Sequence, residues 1–248
     1  MRSSSIRNIR RAELSVAAFE AVIEYGLRRT TLDKVGDKAG LSKGVVLHHF
    51  KDKSALLAAV FRRSNSLLSE SVIELYKYAE TPYERLWAII VANFFESIFN
   101  HRVCQAWVSL ISEVPHNHEC QRIQIANTSW ICSNFRHELK HLLNPEDAKA
   151  ASKQLGLLID GLWMRGGLSA EPIKSSTATS DMEFALSKLV PFDEVSAVKH
   201  HKARKKIERI AKIVLGSKAF KERSYSCLLY TSPSPRDVEE CGLAGWGL

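Results

Sequence analysis

Residues 31–53 read T-L-D-K-V-G-D-K-A-G-L-S-K-G-V-V-L-H-H-F-K-D-K, and this stretch decides the fold. Gly40 can take the left-handed backbone conformation that ends a helix, and Ser42 belongs to the residue types that cap a helix N-terminus. The pattern therefore predicts two short helices, 32–39 and 43–50, joined by a tight turn. Their apolar residues can pack inward between them, which is typical of a helix-turn-helix whose second helix can lie in a major groove.

The polar side of the second helix offers groups that can bind DNA. Lys43, His48 and His49 supply charge and hydrogen-bond donors, and Gly44 permits a close approach of the backbone. The next helix begins near Lys53, where backbone N–H groups and an ammonium group can meet a phosphate. The alternative is a solvated face on a helical hairpin with no DNA role. We predict DNA contacts from Thr31, Ser42, Lys43, Gly44, Val45, Leu47, His48, His49 and Lys53.

Charge divides the chain into four stretches. Residues 1–63 have 13 Lys/Arg and 6 Asp/Glu, a net charge of +7, whereas residues 64–198 have a net charge of −5. Residues 199–226 carry +8 and residues 227–248 carry −2, so the 248-residue chain has a net charge of +8. A basic N-terminal unit on an acidic body indicates an anionic partner at one end, either nucleic acid or a membrane surface. Three arginines of that unit could contact phosphate or form a frayed basic terminus: Arg7, Arg10 and Arg11.

The remainder of the chain predicts helices only. Apolar residues keep helical spacing, no segment alternates apolar and polar residues as a half-buried strand does, and no internal repeat is present. We predict an all-α protein of about nine helices, with a three-helix head and a helical body. The expected helices are 9–25, 32–39, 43–50, 52–78, 83–99, 103–112, 119–143, 146–169 and 181–189.

The composition changes after Pro191. Residues 199–223 are strongly basic, although four apolar residues between 207 and 214 keep helical spacing. Residues 227–237 read C-L-L-Y-T-S-P-S-P-R-D, which resembles the conceptual translation of a transposon adapter used in sequencing libraries; a natural disordered tail is the alternative. The predicted domains are a helix-turn-helix DNA-binding domain (1–51), a ligand-binding and dimerisation domain (52–192), a basic extension of unknown role (193–226) and a non-native tail (227–248).

Other classes of protein have little support in the sequence. No apolar run follows the basic N-terminus and none reaches the length of a membrane span, so neither a signal peptide nor a membrane helix is expected. The five cysteines are scattered and fit a reducing compartment, so we expect a cytoplasmic protein. No catalytic motif is present, and we predict no enzymatic activity, no cofactor and no metal. The best metal candidates have the spacing of solvated loop residues: His116, His118, Glu119 and Cys120.

Residues 39–57, A-G-L-S-K-G-V-V-L-H-H-F-K-D-K-S-A-L-L, resemble the TetR family of bacterial one-component repressors. Residues 9–14, I-R-R-A-E-L, and residues 158–169, L-I-D-G-L-W-M-R-G-G-L-S, are similar to its BetI subfamily, and the resemblance covers roughly residues 6–192. It implies a homodimer that binds a palindromic operator and represses genes of choline uptake and glycine betaine synthesis until choline binds. Family members often have Tyr at a phosphate contact where this chain has His49, so that contact is expected to be pH-sensitive.

Four residues of the acidic body could form a cage for the quaternary ammonium group that the resemblance implies. Such a group has no hydrogen-bond donor, so aromatic faces and carboxylates recognise it. The same tryptophans could instead fill the core or a dimer interface. The carboxylate lies in an apolar run, where a hydrogen bond within the protein could satisfy it as well as a cation could. The predicted ligand-binding residues are Trp107, Trp130, Asp160 and Trp163.

Four glycines fall on the helix predicted over 146–169. Glycine costs roughly 1 kcal/mol relative to alanine inside a helix, and a close approach of two helices can offset that cost. The resemblance places dimerisation on the last two long helices, so a four-helix dimer interface fits; a kink near the last two glycines is the alternative. The glycines are Gly156, Gly161, Gly166 and Gly167.

Two further functions stay open at this point. A repressor of the same kind could respond to another hydrophobic or cationic effector, such as a drug-like compound. A helical scaffold on an anionic membrane surface would use the same basic residues for lipid rather than DNA.

Overall fold

The computed structural model describes residues 2–218 and 220, and within them it contains ten α-helices, one 3₁₀ turn and no strand. The all-α prediction is confirmed, and one helix is added to the expected nine. The tail predicted over 227–248 lies outside the described residues. The helices are α1 (Arg2–Tyr25), α2 (Leu32–Ala39), α3 (Lys43–His49), α4 (Lys53–Tyr76), α5 (Pro82–Asn93), α6 (His101–Ile111), α7 (His118–Leu139), α8 (Pro145–Leu168), α9 (Ser175–Leu189) and α10 (Glu194–Val214), and the 3₁₀ turn is Val114–His116.

Local capping fixes the turn between α2 and α3. The Thr31 hydroxyl oxygen accepts the Lys34 backbone N–H at 3.3 Å, and the Ser42 hydroxyl oxygen accepts the Val45 N–H at 3.4 Å. Gly40 ends α2 with φ 65°, a conformation that residues with a Cβ rarely adopt. Each cap satisfies a backbone group that a short helix leaves open, so the turn follows from the local sequence.

Helix α4 joins the head to the body. Its first half is buried in the head, where Phe61 packs in the same cluster as Val35, Val46 and Phe50. Its second half packs in the body, where Leu75 belongs to the main core cluster. Helix α4 therefore contributes to both the head core and the body core.

The body core is built around α5, whose residues from Leu86 to Asn93 are all buried. Helix α5 ends at Asn93, six residues earlier than the sequence predicted. The apolar residues that follow are not helical; Phe94 and Phe99 instead pack edge to face, with ring centroids 5.0 Å apart, and both are buried. Apolar spacing alone extended the prediction into this buried loop.

Helix α10, within the described part of the basic extension, packs on the body. Ala203, Ile207 and Ala211 are buried in the same core cluster as α5. On its other side, Lys206 donates to Glu84 at 2.9 Å, and Arg204 pairs with Glu183. The apolar stripe of the extension thus covers α5, and its cations meet carboxylates of the acidic body.

A buried histidine lies in the first half of α10. His200 has no exposed surface, and neither ring nitrogen has a hydrogen-bond partner among the described residues. Its ring stacks on Phe192 at 5.0 Å and meets the edge of Tyr83 at 4.7 Å. Burial lowers the pKa of His200 to about 4, so the docked helix holds a neutral imidazole.

We expect the folded protein to lose stability as pH falls towards 4. The unfolded chain takes up this proton near pH 6.5 and the folded chain near pH 4, so the stabilisation is complete above pH 6.5 and is lost below it. The loss of unfolding free energy should reach about 3 kcal/mol more in the native protein than in His200→Phe. Urea titrations at several pH values measure it. The exposed neighbour supplies the control, because His201→Phe should keep the native pH dependence.

Candidate DNA-binding surface and effector cavity

Helix α3 presents one polar face to solvent. Lys43, Gly44, Leu47 and His48 are exposed, at the three- and four-residue spacing of one helix side. Val46, on the opposite side, is buried in the head core. The structure therefore brings four of the predicted DNA contacts onto one surface that a major groove could cover.

Two of the predicted DNA contacts are also helix N-caps. Thr31 and Ser42 are exposed, and each uses its hydroxyl oxygen to cap a helix. A capping hydroxyl keeps its own O–H, which can still be donated to a phosphate. Val45 is only half-buried, between the exposed face and the core.

Two predicted contacts are lysines, Lys43 at the start of α3 and Lys53 at the start of α4, and each makes one polar contact within the head. Lys43 pairs with Asp33 at 2.9 Å, and both side chains are more than half exposed. The Lys53 ammonium donates to the Leu27 carbonyl at 3.3 Å. An exposed ion pair contributes little stability, so Lys43 can leave Asp33 for a phosphate at small cost.

His49 differs from the other predicted contacts because it is half-buried. Its Nδ1 has no hydrogen-bond partner among the described residues, and its ring lies edge-on to His48 at 5.3 Å. Burial lowers its pKa, and the charges of His48 and Arg7 lower it further. His49 is therefore neutral near pH 7, and one ring N–H is what it can offer a phosphate.

Arg11 ties α1 to the recognition helix. Its guanidinium donates to the His49 carbonyl and lies over the Phe50 ring, 4.5 Å from the centroid. Burial, the largest cause, lowers the pKa of Arg11. Arg10 instead pairs with Glu13 at 2.7 Å, and Arg7 is exposed. Of the three arginines, Arg11 thus acts within the head.

A cavity of about 340 Å³ lies where the head meets the body. It takes residues from α1, α4, α6 and α8, from the loop between α5 and α6, and from the two positions Leu215 and Phe220 that follow α10. Trp107 and Trp163 form part of its wall, with ring centroids 5.7 Å apart and planes inclined at 53°. Its lining residues are Val16, Phe19, Glu20, Ile23, Arg63, Ser64, Leu67, Leu68, Ser97, Ile98, Val103, Trp107, Trp163, Leu215 and Phe220.

The four residues predicted as a cation cage are not brought together. Trp107 and Trp163 line the cavity, whereas Trp130 and Asp160 do not. Trp130 lies on α7 and packs against the body core. Asp160 is half-buried on α8, where burial raises its pKa to about 6. Asp160 and Trp163 are three residues apart on α8, a spacing that predicts neighbouring positions on one face, yet of the two only Trp163 lines the cavity.

The outer face of α8 is apolar and exposed. Leu157 is 60% exposed, Leu168 is 68% exposed, and Met164 lies between them on the same face. Phe184 on α9 is 66% exposed. Exposed apolar side chains of this kind on two long helices are typical of a protein–protein interface.

Most of the α8 glycines serve packing within the chain rather than that outer face. A Cβ on Gly167 would lie 2.6 Å from the Cys104 carbonyl oxygen of α6, and a Cβ on Gly156 would lie 2.8 Å from the Cys132 sulfur of α7. Only at Gly161, among the four, would a Cβ meet nothing within 4 Å. Gly166 and Gly167 stay within the helix, so the alternative of a loop there is wrong.

Within residues 2–218 and 220, no group of three His, Cys, Asp or Glu side chains is placed to hold a metal ion. None of the helices in that part of the chain combines the length and the apolar character that crossing a bilayer needs.

Comparison with known proteins matches both parts of the chain. A family model described as "Bacterial regulatory proteins, tetR family" matches residues 14–60, and one described as "BetI-type transcriptional repressor, C-terminal" matches residues 82–191. The regulator BetI of Burkholderia thailandensis is 35% identical over 174 residues, which is 70% of this chain and 89% of that protein. The regulator BetI of Stenotrophomonas maltophilia is 35% identical over 169 residues, 68% of this chain and 86% of that protein.

Solved structures share the fold. A transcriptional regulator from Rhodococcus superposes with a TM-score of 0.65 at 20% identity and covers 72% of this chain and 95% of its own. A TetR transcription regulator from Haloarcula marismortui has a TM-score of 0.63 at 18% identity. The match covers 77% of this chain and 100% of that regulator. Helix α10 lies beyond residue 191, where the match to the C-terminal family model ends.

Proposed function

Since this chain belongs to the TetR family and has a BetI-type repressor domain, we propose that it represses genes of choline uptake and glycine betaine synthesis and is released from DNA by choline. The family assignment makes it a transcriptional repressor. The choline part is supported by the kind of relative that matches over most of the chain. A homodimer acting in the cytoplasm completes the proposal.

In the proposed complex, residues 1–51 form the DNA-binding domain. The exposed face of α3 enters the major groove, where Lys43 and His48 meet base edges or phosphates and Gly44 lets the backbone approach. Lys53 and the first N–H groups of α4 contact a phosphate. The exposure of this face and its weakly held cations are the observations that carry the assignment.

The effector acts through the cavity between head and body. Phe19 of α1 and Leu67 of α4 both line it, so a bound molecule contacts the head and the helix that joins head to body. Ligand changes operator affinity only if it binds one arrangement of head and body better than another. A ligand in a cavity built from both parts can contact each of them, which supports a role in choosing between two arrangements.

A repressor for a different effector is the second candidate, and the position of Asp160 favours it. A quaternary ammonium cage needs aromatic faces and carboxylates, and the Asp160 carboxylate lies outside the cavity that holds Trp107 and Trp163. Glu20 is the acidic side chain that does line the cavity, and it is exposed. The pair Trp107 and Trp163 supports choline as the effector. The lack of a buried carboxylate among the described residues that line the cavity supports a different effector.

Operator binding by Lys43→Ala plus Lys53→Ala tests the DNA assignment. Losing two phosphate or base contacts should weaken binding to the promoter of its own gene by roughly 30-fold or more, and should lower the salt dependence. Fluorescence anisotropy measures both. The control is Lys77→Ala plus Lys188→Ala, two cations outside the head, which should leave binding unchanged.

The same assay with choline tests the effector. Added choline should release the native protein from operator DNA, and calorimetry should register its binding. If neither occurs, the choline proposal fails and the repressor assignment is left standing.

For the lysine experiment, an unchanged operator affinity in the Lys43→Ala plus Lys53→Ala variant would contradict the proposed DNA-binding surface.

A further inference from the structure

Two residues that follow α10 lie in the wall of the effector cavity. Leu215 is 2% exposed and Phe220 is 6% exposed, and both side chains line the cavity. Both also belong to the main core cluster of the body, together with Ile207 and Ala211 of α10. The described end of the basic extension is therefore buried, and it is buried at the cavity.

Local hydrogen bonds hold the chain in this position. The Ser217 backbone N–H donates to the Val214 carbonyl at 3.3 Å, and the Ser217 hydroxyl donates to the same carbonyl at 2.7 Å. The oxygen of that hydroxyl accepts the Phe220 backbone N–H at 3.0 Å. Ser217 thus links the last turn of α10 to Phe220, which keeps the aromatic ring close to the helix end and in the cavity wall.

This part of the wall lies outside both family domains. The match to the C-terminal family model ends at residue 191, and all other described lining residues precede that position. Two repressors could therefore share both family domains and still differ at the side of the cavity that Leu215 and Phe220 form. The residues after α10 are a place where the effector preference of this chain can differ from that of its relatives.

The contribution of these two side chains is shape rather than charge. Neither has a polar side-chain atom, so they act on an effector by dispersion contacts and by excluding volume. The cavity of about 340 Å³ is at the small end of ligand sites, so two large side chains decide much of its available space. Packed walls relax only in part when a side chain is shortened, so the space that they vacate stays open to a ligand.

We propose that Leu215 and Phe220 are specificity-determining residues that set the largest effector the cavity admits. The end of the basic extension thereby takes part in effector selection. This inference rests on the proposed function, in that it takes the cavity to be the effector site.

Two ligands of different size test the proposal on the full-length protein. One is choline, and the other is its benzyl analogue, in which a benzyl group replaces one N-methyl group. The native protein should bind choline at least about tenfold more tightly than the analogue, and Phe220→Ala should reduce that preference at least about tenfold. Leu215→Ala should shift the preference in the same direction by a smaller factor. Isothermal titration calorimetry measures each affinity.

An uncharged probe gives a readout that does not depend on choline. N-phenyl-1-naphthylamine becomes fluorescent in apolar surroundings, and Phe220→Ala should bind it at least about tenfold more tightly than the native protein. Ile213→Ala is the matched control for both experiments. Ile213 lies on α10 two residues before Leu215, is 68% exposed and does not line the cavity, so its variant should keep native values.

Folding is checked by circular dichroism melting and by operator binding. Phe220→Leu shortens the side chain but keeps it apolar, so it keeps the test usable if Phe220→Ala unfolds. It should shift both readouts in the direction expected for alanine and by a smaller factor.

Each contrary outcome overturns the inference. Native protein that binds choline and the benzyl analogue equally well has no such size limit. Folded variants of Leu215 and Phe220 that keep the native preference and the native probe affinity also refute it, as does an equal shift in Ile213→Ala. If the native protein binds neither choline nor its analogue, the choline proposal fails, and the probe alone decides the inference: tighter binding by Phe220→Ala supports it, and equal binding overturns it.

Discussion

Replacing Leu157 and Leu168 with glutamate is expected to hold the protein as a monomer and to weaken operator binding by roughly 100-fold or more. Both residues lie on the exposed apolar face of α8, which together with Phe184 of α9 forms the proposed dimer interface. Four carboxylates across a twofold interface would be desolvated without partners, which association does not offset. A monomer can hold only one half-site of a palindrome and loses the gain that comes from linking two heads.

Sedimentation velocity gives the oligomeric state, and anisotropy with operator DNA gives the affinity. Ile73→Glu is the matched control, because Ile73 is an exposed apolar residue on α4, outside α8 and α9. It should leave both measurements at native values. A dimer that survives the double glutamate change, or a monomer that binds the operator normally, would contradict the proposed interface.

The head could be predicted from the sequence because its signals are local. Caps at Thr31 and Ser42, and a glycine suited to the left-handed conformation, are read over a few neighbouring residues. The boundaries predicted for α2 match the structure, and the prediction for α3 was one residue too long because Phe50 caps the helix. Hydrogen bonds from neighbouring residues decide where such a helix ends, so the helix ends can be predicted from the residue types nearby.

The cavity could not be predicted because its wall comes from distant parts of the chain. Arg63 follows Arg62 directly, and nothing in the sequence indicates that Arg63 is buried whereas Arg62 is only partly buried. Phe19 belongs to a helix that was assigned to the head alone. Which side of α4 faces α1 is set by tertiary packing, and helical spacing does not specify it.

Helix α10 illustrates a different limit. Its 21 residues include many lysines and arginines, and the sequence predicted only a basic extension of unknown role there. Ile207 and Ala211 are nevertheless fully buried against the body. The apolar stripe was visible in the sequence, but the acidic surface that receives the cations is formed by α5 and α9 and appears only when these helices are packed.

Gly36→Ala is expected to destabilise the head and to weaken operator binding by at least about 30-fold. A Cβ at Gly36 would lie 2.5 Å from the Leu41 carbonyl oxygen, which is backbone and cannot move aside alone. The turn must shift instead, which strains the 2.8 Å hydrogen bond from Leu41 N–H to the Gly36 carbonyl. Overpacking of this kind costs about 1–3 kcal/mol, and the displaced α3 should lose two base contacts of about 1 kcal/mol or more each.

Gly44→Ala provides the contrast within the same motif. A Cβ at Gly44 would find Ser42 Oγ at 3.7 Å, an ordinary contact, so alanine should raise helix stability by about 0.5–1 kcal/mol. Operator affinity should nevertheless fall, because Gly44 lies on the exposed face that approaches DNA. Thermal melting and operator binding should thus fall together for Gly36→Ala and move in opposite directions for Gly44→Ala. If alanine at position 44 leaves operator affinity unchanged, the backbone of α3 does not come close to DNA there, and the proposed docking of the recognition helix is wrong.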